Sequence, residues 1–336
     1  MKFIDFAGRI GWIFQTETML QAHASSLKSP FILAIMDSTL YAASSEFEDK
    51  KLRRCMTLCC SRCTKTGGGF KRCARCKIPI YCSKECQKAD WPQHKTRCAK
   101  VDTRASARVA QNLFKSEMLR SMLEAIFAIE MDIHNHPDMR RLLFGIQLDY
   151  IIEPINLEDL QTILNAKSLD DVPGPMMGMF QLTNCLRFGE VVPPPVAHSM
   201  WEQARNQLDD LGCYDKPVGI LDLTNNAMSV ETVLDINEKA LDITQGSEHK
   251  LVPIPVSDDV NATPIVKPMS VVTFMEAINS IIRNDTDNHL RLRQEMRVSD
   301  KQTILDAAKD ECKHFASVDF KKKMERELVY KRTQPM

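Results

Sequence analysis

The chain has 336 residues, with 44 Lys or Arg against 44 Asp or Glu, so its formal net charge is zero. That balance gives no general electrostatic drive toward nucleic acid or a membrane surface. The length suits about two domains. Apolar runs such as residues 31–36 are too short to span a bilayer, which needs roughly 20 apolar residues.

From the amino terminus, residues 13–27 read as a helix with Met19, Leu20, His23 and Leu27 along one side, broken by Ser29-Pro30. Residues 31–36 are apolar. The chain then turns polar and ends this stretch in Lys50-Lys51-Leu52-Arg53-Arg54. Met1 to Gln15 lacks a basic start followed by an apolar run and a small-residue cleavage site, so an intracellular location is expected. Cytoplasm and nucleus are not distinguished by this reading.

Nine of the twelve cysteines lie between Cys55 and Cys98. Eight metal-type ligands fall there as four pairs: Cys60 and Cys63, Cys73 and Cys76, Cys82 and Cys86, His94 and Cys98. Zinc takes four thiolate or imidazole ligands in a tetrahedral shell, so eight ligands make two closed sites with no open position for a substrate. A disulfide framework belongs instead to secreted chains. Cys59 could replace Cys60 as first ligand, but a two-residue gap to Cys63 is the usual knuckle spacing. Cys55 and Cys59 are then spare thiols. Gly67 to Gly69 supply a bend, and residues 84–95 read as a short helix with Pro92 near a turn or a second helix start.

The residues between the ligands add a family resemblance. Tyr81-Cys82-Ser83 through Cys86-Gln87, then Trp91, then His94-Lys95 and Cys98, resembles the core of a MYND-type zinc finger over about residues 60–98. The resemblance implies that the pairs interleave. Cys60, Cys63, Cys82 and Cys86 would hold one zinc; Cys73, Cys76, His94 and Cys98 would hold the second. It also implies a shallow groove for proline-containing peptides at Ser83, Gln87 and Trp91. In some proteins such a finger interrupts a SET lysine methyltransferase domain. The alternative function is therefore methyl transfer, although the Asn-His-Ser-Cys-x-Pro-Asn run of those enzymes is not found here.

Between Cys59 and Cys98 ten Lys or Arg face two Asp or Glu, a formal +8. Seven thiolates and two zinc ions would leave about +5. No series of stacking aromatics accompanies this charge, so a nucleic-acid partner is not expected.

Beyond the finger, residues 105–132 carry one long helical pattern. His134 and His136 sit where histidines satisfy carbonyls at a helix end. Residues 144–150 alternate as a strand, 157–165 form a short helix, and 171–178 a loop in which Met176, Met177 and Met179 pack. Pro193-Pro194-Pro195 reads as a stiff linker or a ligand for a proline-reading domain. A helix over 196–211 stops at Gly212. A strand follows at 218–223, with a weaker one at 251–256. Ser270 caps a helix to about Arg283, Ser299 caps another to about Phe315, and residues 321–331 form a charged terminal helix. Cys185, Cys213 and Cys312 read as ordinary buried thiols. The expected fold class is α+β: a small two-zinc MYND-type module followed by a helix-rich domain with a small sheet. The expected division is a helical segment at 1–54, the finger at 55–100 and the α+β domain at 103–336. No catalytic residue is identified, and the oligomeric state is left open.

Overall fold

A computed structural model describes residues 60, 62–63, 65, 70–74, 80–97, 108, 111–194, 196–225, 228–255, 264–309 and 314–331. The expected helix at 13–27, the basic stretch at 50–54, and Cys55, Cys59, Cys76, Cys98 and Cys312 lie outside these residues.

The finger contributes a two-residue ribbon, β1 (Lys71–Arg72) and β2 (Ile80–Tyr81), and helix α1 (Lys84–Arg97). The helix continues through Pro92 rather than turning there. The rest is mixed α and β. Helix α2 (Glu117–Glu130) precedes β3 (Gly145–Pro154), α3 (Leu157–Asn165) and β4 (Met177–Arg187). Then come α4 (Ala197–Asp210), β5 (Val218–Asn225), β6 (Met228–Asp235) and α5 (Glu238–Thr244). The chain continues through β7 (Leu251–Ile254), β8 (Ile265–Pro268), α6 (Val271–Asn284) and β9 (Arg293–Glu295). It closes with α7 (Val298–Ala307), α8 (Phe315–Arg326) and α9 (Leu328–Lys331).

Five strands form one sheet in the order β6-β5-β3-β4-β9, and β7 and β8 form a separate ribbon. Strand β3 is central, antiparallel to β4 and parallel to β5. Gly145 permits that packing: a Cβ there would meet the carbonyl oxygen of Ile220 at 2.6 Å. Leu119, Met122, Leu123, Ile126 and Phe127 of α2 join Ile146, Leu148, Leu221 and Leu223 of the sheet in the main core.

Local chemistry sets several boundaries. The single helix expected over 105–132 is broken, because Ser116 adopts an extended conformation and its side chain accepts the Leu119 N–H, starting α2 afresh. Ser270 accepts the Thr273 N–H at 3.1 Å and starts α6 as expected. Helix α7 begins two residues earlier than a Ser299 cap would allow: it is capped at Arg297, whose N–H donates to Asp300 at 2.9 Å. It ends at Ala307 rather than near Phe315. Gly212, at φ +76°, ends α4 in the left-handed region that favours glycine. Of the three methionines expected to pack in a loop, Met177 and Met179 belong to the start of β4, where Met179 is fully buried, and Met176 immediately precedes it. Cys185 and Cys213 are half-buried.

The terminal helix is the largest departure. Instead of one charged helix over 321–331, α8 and α9 meet at Glu327, and Lys323 is fully buried. Its ammonium donates to Glu153 at 3.0 Å and pairs with Glu327 at 3.1 Å. Glu153, in β3 and fully buried, also pairs with Arg283 and accepts the Tyr330 hydroxyl at 2.6 Å. Burial alone would raise the Glu153 carboxyl; Arg283, Lys323 and Tyr330 reverse that and hold it below the usual carboxylate range. Asn279 of α6 extends the network. It accepts the Leu182 N–H at 2.7 Å, donates to the Leu182 carbonyl at 2.8 Å and donates to Glu327 at 2.9 Å. One side chain thereby replaces a neighbouring strand along β4.

Replacing Lys323 by Met should destabilise the domain by ~3–5 kcal/mol, because it leaves buried carboxylates short of a cation. Urea denaturation followed by circular dichroism reads this; a loss below ~1 kcal/mol would show that the network is not structurally required.

Candidate metal centre and associated sites

Cys60 and Cys63 sit on a tight turn in which the Cys60 N–H donates to the Lys65 carbonyl at 2.9 Å. Cys82 follows β2 directly, and Cys86 lies in the first turn of α1. That turn is fixed by Ser83, whose hydroxyl accepts the Cys86 N–H at 3.2 Å. The buried Tyr81 donates its hydroxyl to Asp90 at 2.6 Å, tying the ribbon to the middle of α1.

These elements bring the sulfurs of Cys60, Cys63, Cys82 and Cys86 within 4.8 Å of one another. The sulfurs of Cys63 and Cys82, and of Cys82 and Cys86, are each 3.5 Å apart. A tetrahedral zinc with bonds near 2.3 Å would space its sulfurs by about 3.8 Å, so the set fits zinc with little adjustment. Burial would raise the Cys60 thiol, but the backbone N–H groups of Cys63, Cys82 and Arg62 outweigh it and bring it down to about 6. Cys82 is pushed up to about 12 by its bonds to Cys86 and Cys63. Four thiols this close cannot all ionise without a cation among them. The four cysteines thus form a zinc-binding cluster, and the ion would supply closure of the fold rather than reaction chemistry.

Of the other four expected ligands, two are described. His94 Nε2 lies 3.3 Å from Cys73 Sγ, and both residues are buried. Cys76 and Cys98 lie outside the described residues.

Ser83, Gln87 and Trp91 follow one another at four-residue steps along α1 and so share a face. Ser83 and Gln87 are half-buried. Trp91 is 38% exposed and sets its ring edge-on to His94, with centroids 5.8 Å apart. One side of the indole thus braces a buried histidine while the rest meets solvent. Lys84, Lys88 and Lys95 are exposed on the same flank. The cap made by Ser83 and the Tyr81–Asp90 bond were not anticipated; a Ser three residues before a metal-ligating Cys is the signal available for the first.

In the larger domain, the cleft lined by Ile254, Ser280, Arg283, Glu327 and Leu328 abuts the Glu153 network. Three of its polar groups are engaged: Arg283 with Glu153, Glu327 with Lys323, and Ser280 with the Pro255 carbonyl. His134 and His136 are exposed, and His136 Nδ1 lies 3.2 Å from the Asp132 carbonyl at the end of α2. On the sheet face away from α2, burial raises Asp149 to about 6; Gln147 opposes the rise, while Asp319 and Asp222 add to it. Burial likewise raises Asp222 and Asp319.

Two family models match the chain. Residues 60–98 match the MYND finger family model, so the four-cysteine cluster is that of a MYND-type zinc finger. Residues 101–330, more than half of the chain, match the family described as "Domain of unknown function (DUF8205)", and the chain belongs to that family. Among curated proteins it is similar to "SET domain and MYND-type zinc finger protein 6" of Schizosaccharomyces pombe, at 58% identity over 43 residues. That match covers 13% of this chain and 9% of the yeast protein. It is 33% identical over 107 residues to "N-lysine methyltransferase SMYD2" of Gallus gallus, covering 32% of this chain and 23% of that one. "Dauer abnormal formation protein 25" of Caenorhabditis elegans is 51% identical over 47 residues, 13% of this chain and 12% of that one. The chain thus spans less than a quarter of the length of these relatives. No solved structure matches. Among the described residues, no helix is long and apolar enough to cross a membrane.

The raised Asp149 carboxyl has a definite sign in stability. Its folded pKa of about 6 exceeds the ordinary 3.8, so its proton favours the fold at low pH, and that contribution is lost as pH rises through about 6. Asp149→Asn should therefore raise the melting temperature at pH 7.5, and do so by less at pH 4.5. An equal shift at both values would contradict the assignment.

Proposed function

We propose that this protein is a zinc-dependent interaction protein whose MYND-type finger holds two zinc ions and binds proline-containing segments of protein partners. The observation that carries this reading is the half-exposed indole of Trp91, braced on His94 and aligned with Gln87 and Ser83 on α1. A flat apolar ring suits a proline ring, and a neighbouring amide suits the carbonyls of an extended peptide. The Ser83 hydroxyl is already engaged as a helix cap, so its part is to fix the first turn of this face.

The second zinc is supported by the buried Cys73–His94 pair, to which Cys76 and Cys98 would add the remaining ligands. We read residues 1–54, 55–100 and 103–336 as three parts of the chain, the last with its own core independent of metal. An intracellular setting suits a chain whose thiols serve zinc.

Metal analysis of protein never exposed to chelator should find two zinc ions per chain, and Cys73→Ser with Cys76→Ser should leave one. A native content of one would restrict the finger to the four-cysteine cluster.

A methyltransferase reading has one specific support. The similarity to the Gallus gallus N-lysine methyltransferase runs for 107 residues, well beyond the span of the finger. Transfer of labelled methyl groups from S-adenosylmethionine to a lysine-rich protein would establish it.

The groove itself is tested by titrating proline-containing peptides into the full chain. Trp91→Ala should weaken binding by ~2 kcal/mol or more, as for buried aromatic anchors, with zinc content unchanged. Binding that survives the change with both ions in place would move the contact to another surface.

A further inference from the structure

The larger domain displays a segment of the chemistry that the proposed groove would read. Strand β4 ends in a tight turn: the N–H groups of Glu190 and Val191 donate to the Arg187 carbonyl at 3.1 and 3.2 Å, and the Gly189 N–H donates to the Val191 carbonyl at 3.1 Å. Beyond it the sequence runs Val191-Val192-Pro193-Pro194-Pro195. The Ala197 N–H donates to the Pro194 carbonyl at 2.9 Å and opens α4. Val192 to Pro194 is thus fixed at both ends. The prolines hold φ and have no N–H to pair, so the segment pays little conformational entropy on docking.

This segment is also uncovered. Val192 is 91% exposed and Pro193 is exposed, an apolar pair facing water between two anchored ends. Glu190, two residues earlier, is exposed and negative. The Trp91 face of α1 offers the complement: an exposed indole flanked by exposed Lys84, Lys88 and Lys95.

From this pairing we infer that the finger of one copy of this chain binds the Val191–Pro194 segment of a second copy, with Trp91 against the prolines and the lysine flank toward Glu190. The inference rests on the groove reading above and adds the occupant. The contact is heterologous: groove and segment are different surfaces, so each chain carries one of each. In the structure both surfaces are open to solvent, which suits a partner from another molecule.

Sedimentation of the full zinc-loaded chain across a concentration series tests this with two variants, Trp91→Ala and Val192→Glu. The second lies at an exposed position and does not touch the core. The native chain should associate as concentration rises. Each variant alone should need at least about tenfold higher concentration for the same degree of association. An equimolar mixture of the two should form a one-to-one complex and stop there, because only one intact groove meets one intact segment. A native chain that stays monomeric, or a Val192→Glu chain that associates like the native one, overturns the proposal.

A free peptide spanning Glu190–Val196, titrated into the Val192→Glu chain, separates the two readings. Should the peptide bind while the native chain stays monomeric, self-recognition fails and the groove stands. Should neither this peptide nor any other proline-containing peptide bind, the groove reading fails with it.

Discussion

Four sulfur atoms within 4.8 Å of one another set the terms for the finger. Thiolates at that spacing repel, and thiols at that spacing gain little from one another, so the arrangement is stable only around a cation. A segment of about 40 residues cannot bury enough apolar surface to fold unaided. The described core of the finger bears this out: Cys60, Cys73 and Tyr81 are its buried apolar residues, with Cys82 and Cys86 packed against them. Two of those three are themselves ligand-type cysteines. The orientation of α1, and with it the exposure of Trp91, follows from ligation.

The larger domain meets the same requirement with apolar burial. Its core is an ordinary apolar one, built on α2, α6 and the sheet. At its centre lies an ionic network, with Glu153 on a buried strand facing Lys323, Arg283 and Tyr330. Such networks specify an arrangement more than they stabilise it, because much of the attraction offsets desolvation. Here the network fixes α6, α8 and α9 against β3 and β4, and it engages Arg283 and Glu327 of the neighbouring cleft.

Much of this was legible in the sequence where local spacing carries the information. The pattern over residues 157–165 predicts a helix with the bounds observed for α3. The Ser270 cap and the stop at Gly212 were equally readable. The cysteine spacings, together with the MYND resemblance, singled out Cys60, Cys63, Cys82 and Cys86, which the structure brings together. Strand β4 was not legible, because it is buried on both faces over much of its length and shows no alternation. Strand β6 was likewise unread; it is an edge strand whose register depends on β5. In the sequence Lys323 is one more charge of the terminal helix expected over residues 321–331. Its partner Glu153 is 170 residues away, and no local pattern announces such a pair. The long helix over 105–132 failed for a smaller reason: apolar periodicity continues across Ser116, while the backbone there leaves the helical region.

The finger is proposed to be organised by two closed zinc sites. X-ray absorption at the zinc edge of the full chain measures this directly. Two such sites would give a sulfur shell near 2.3 Å for both ions, with one imidazole nitrogen near 2.0 Å between the two sites and no oxygen ligand. A shell with several oxygen or nitrogen neighbours per zinc would contradict it.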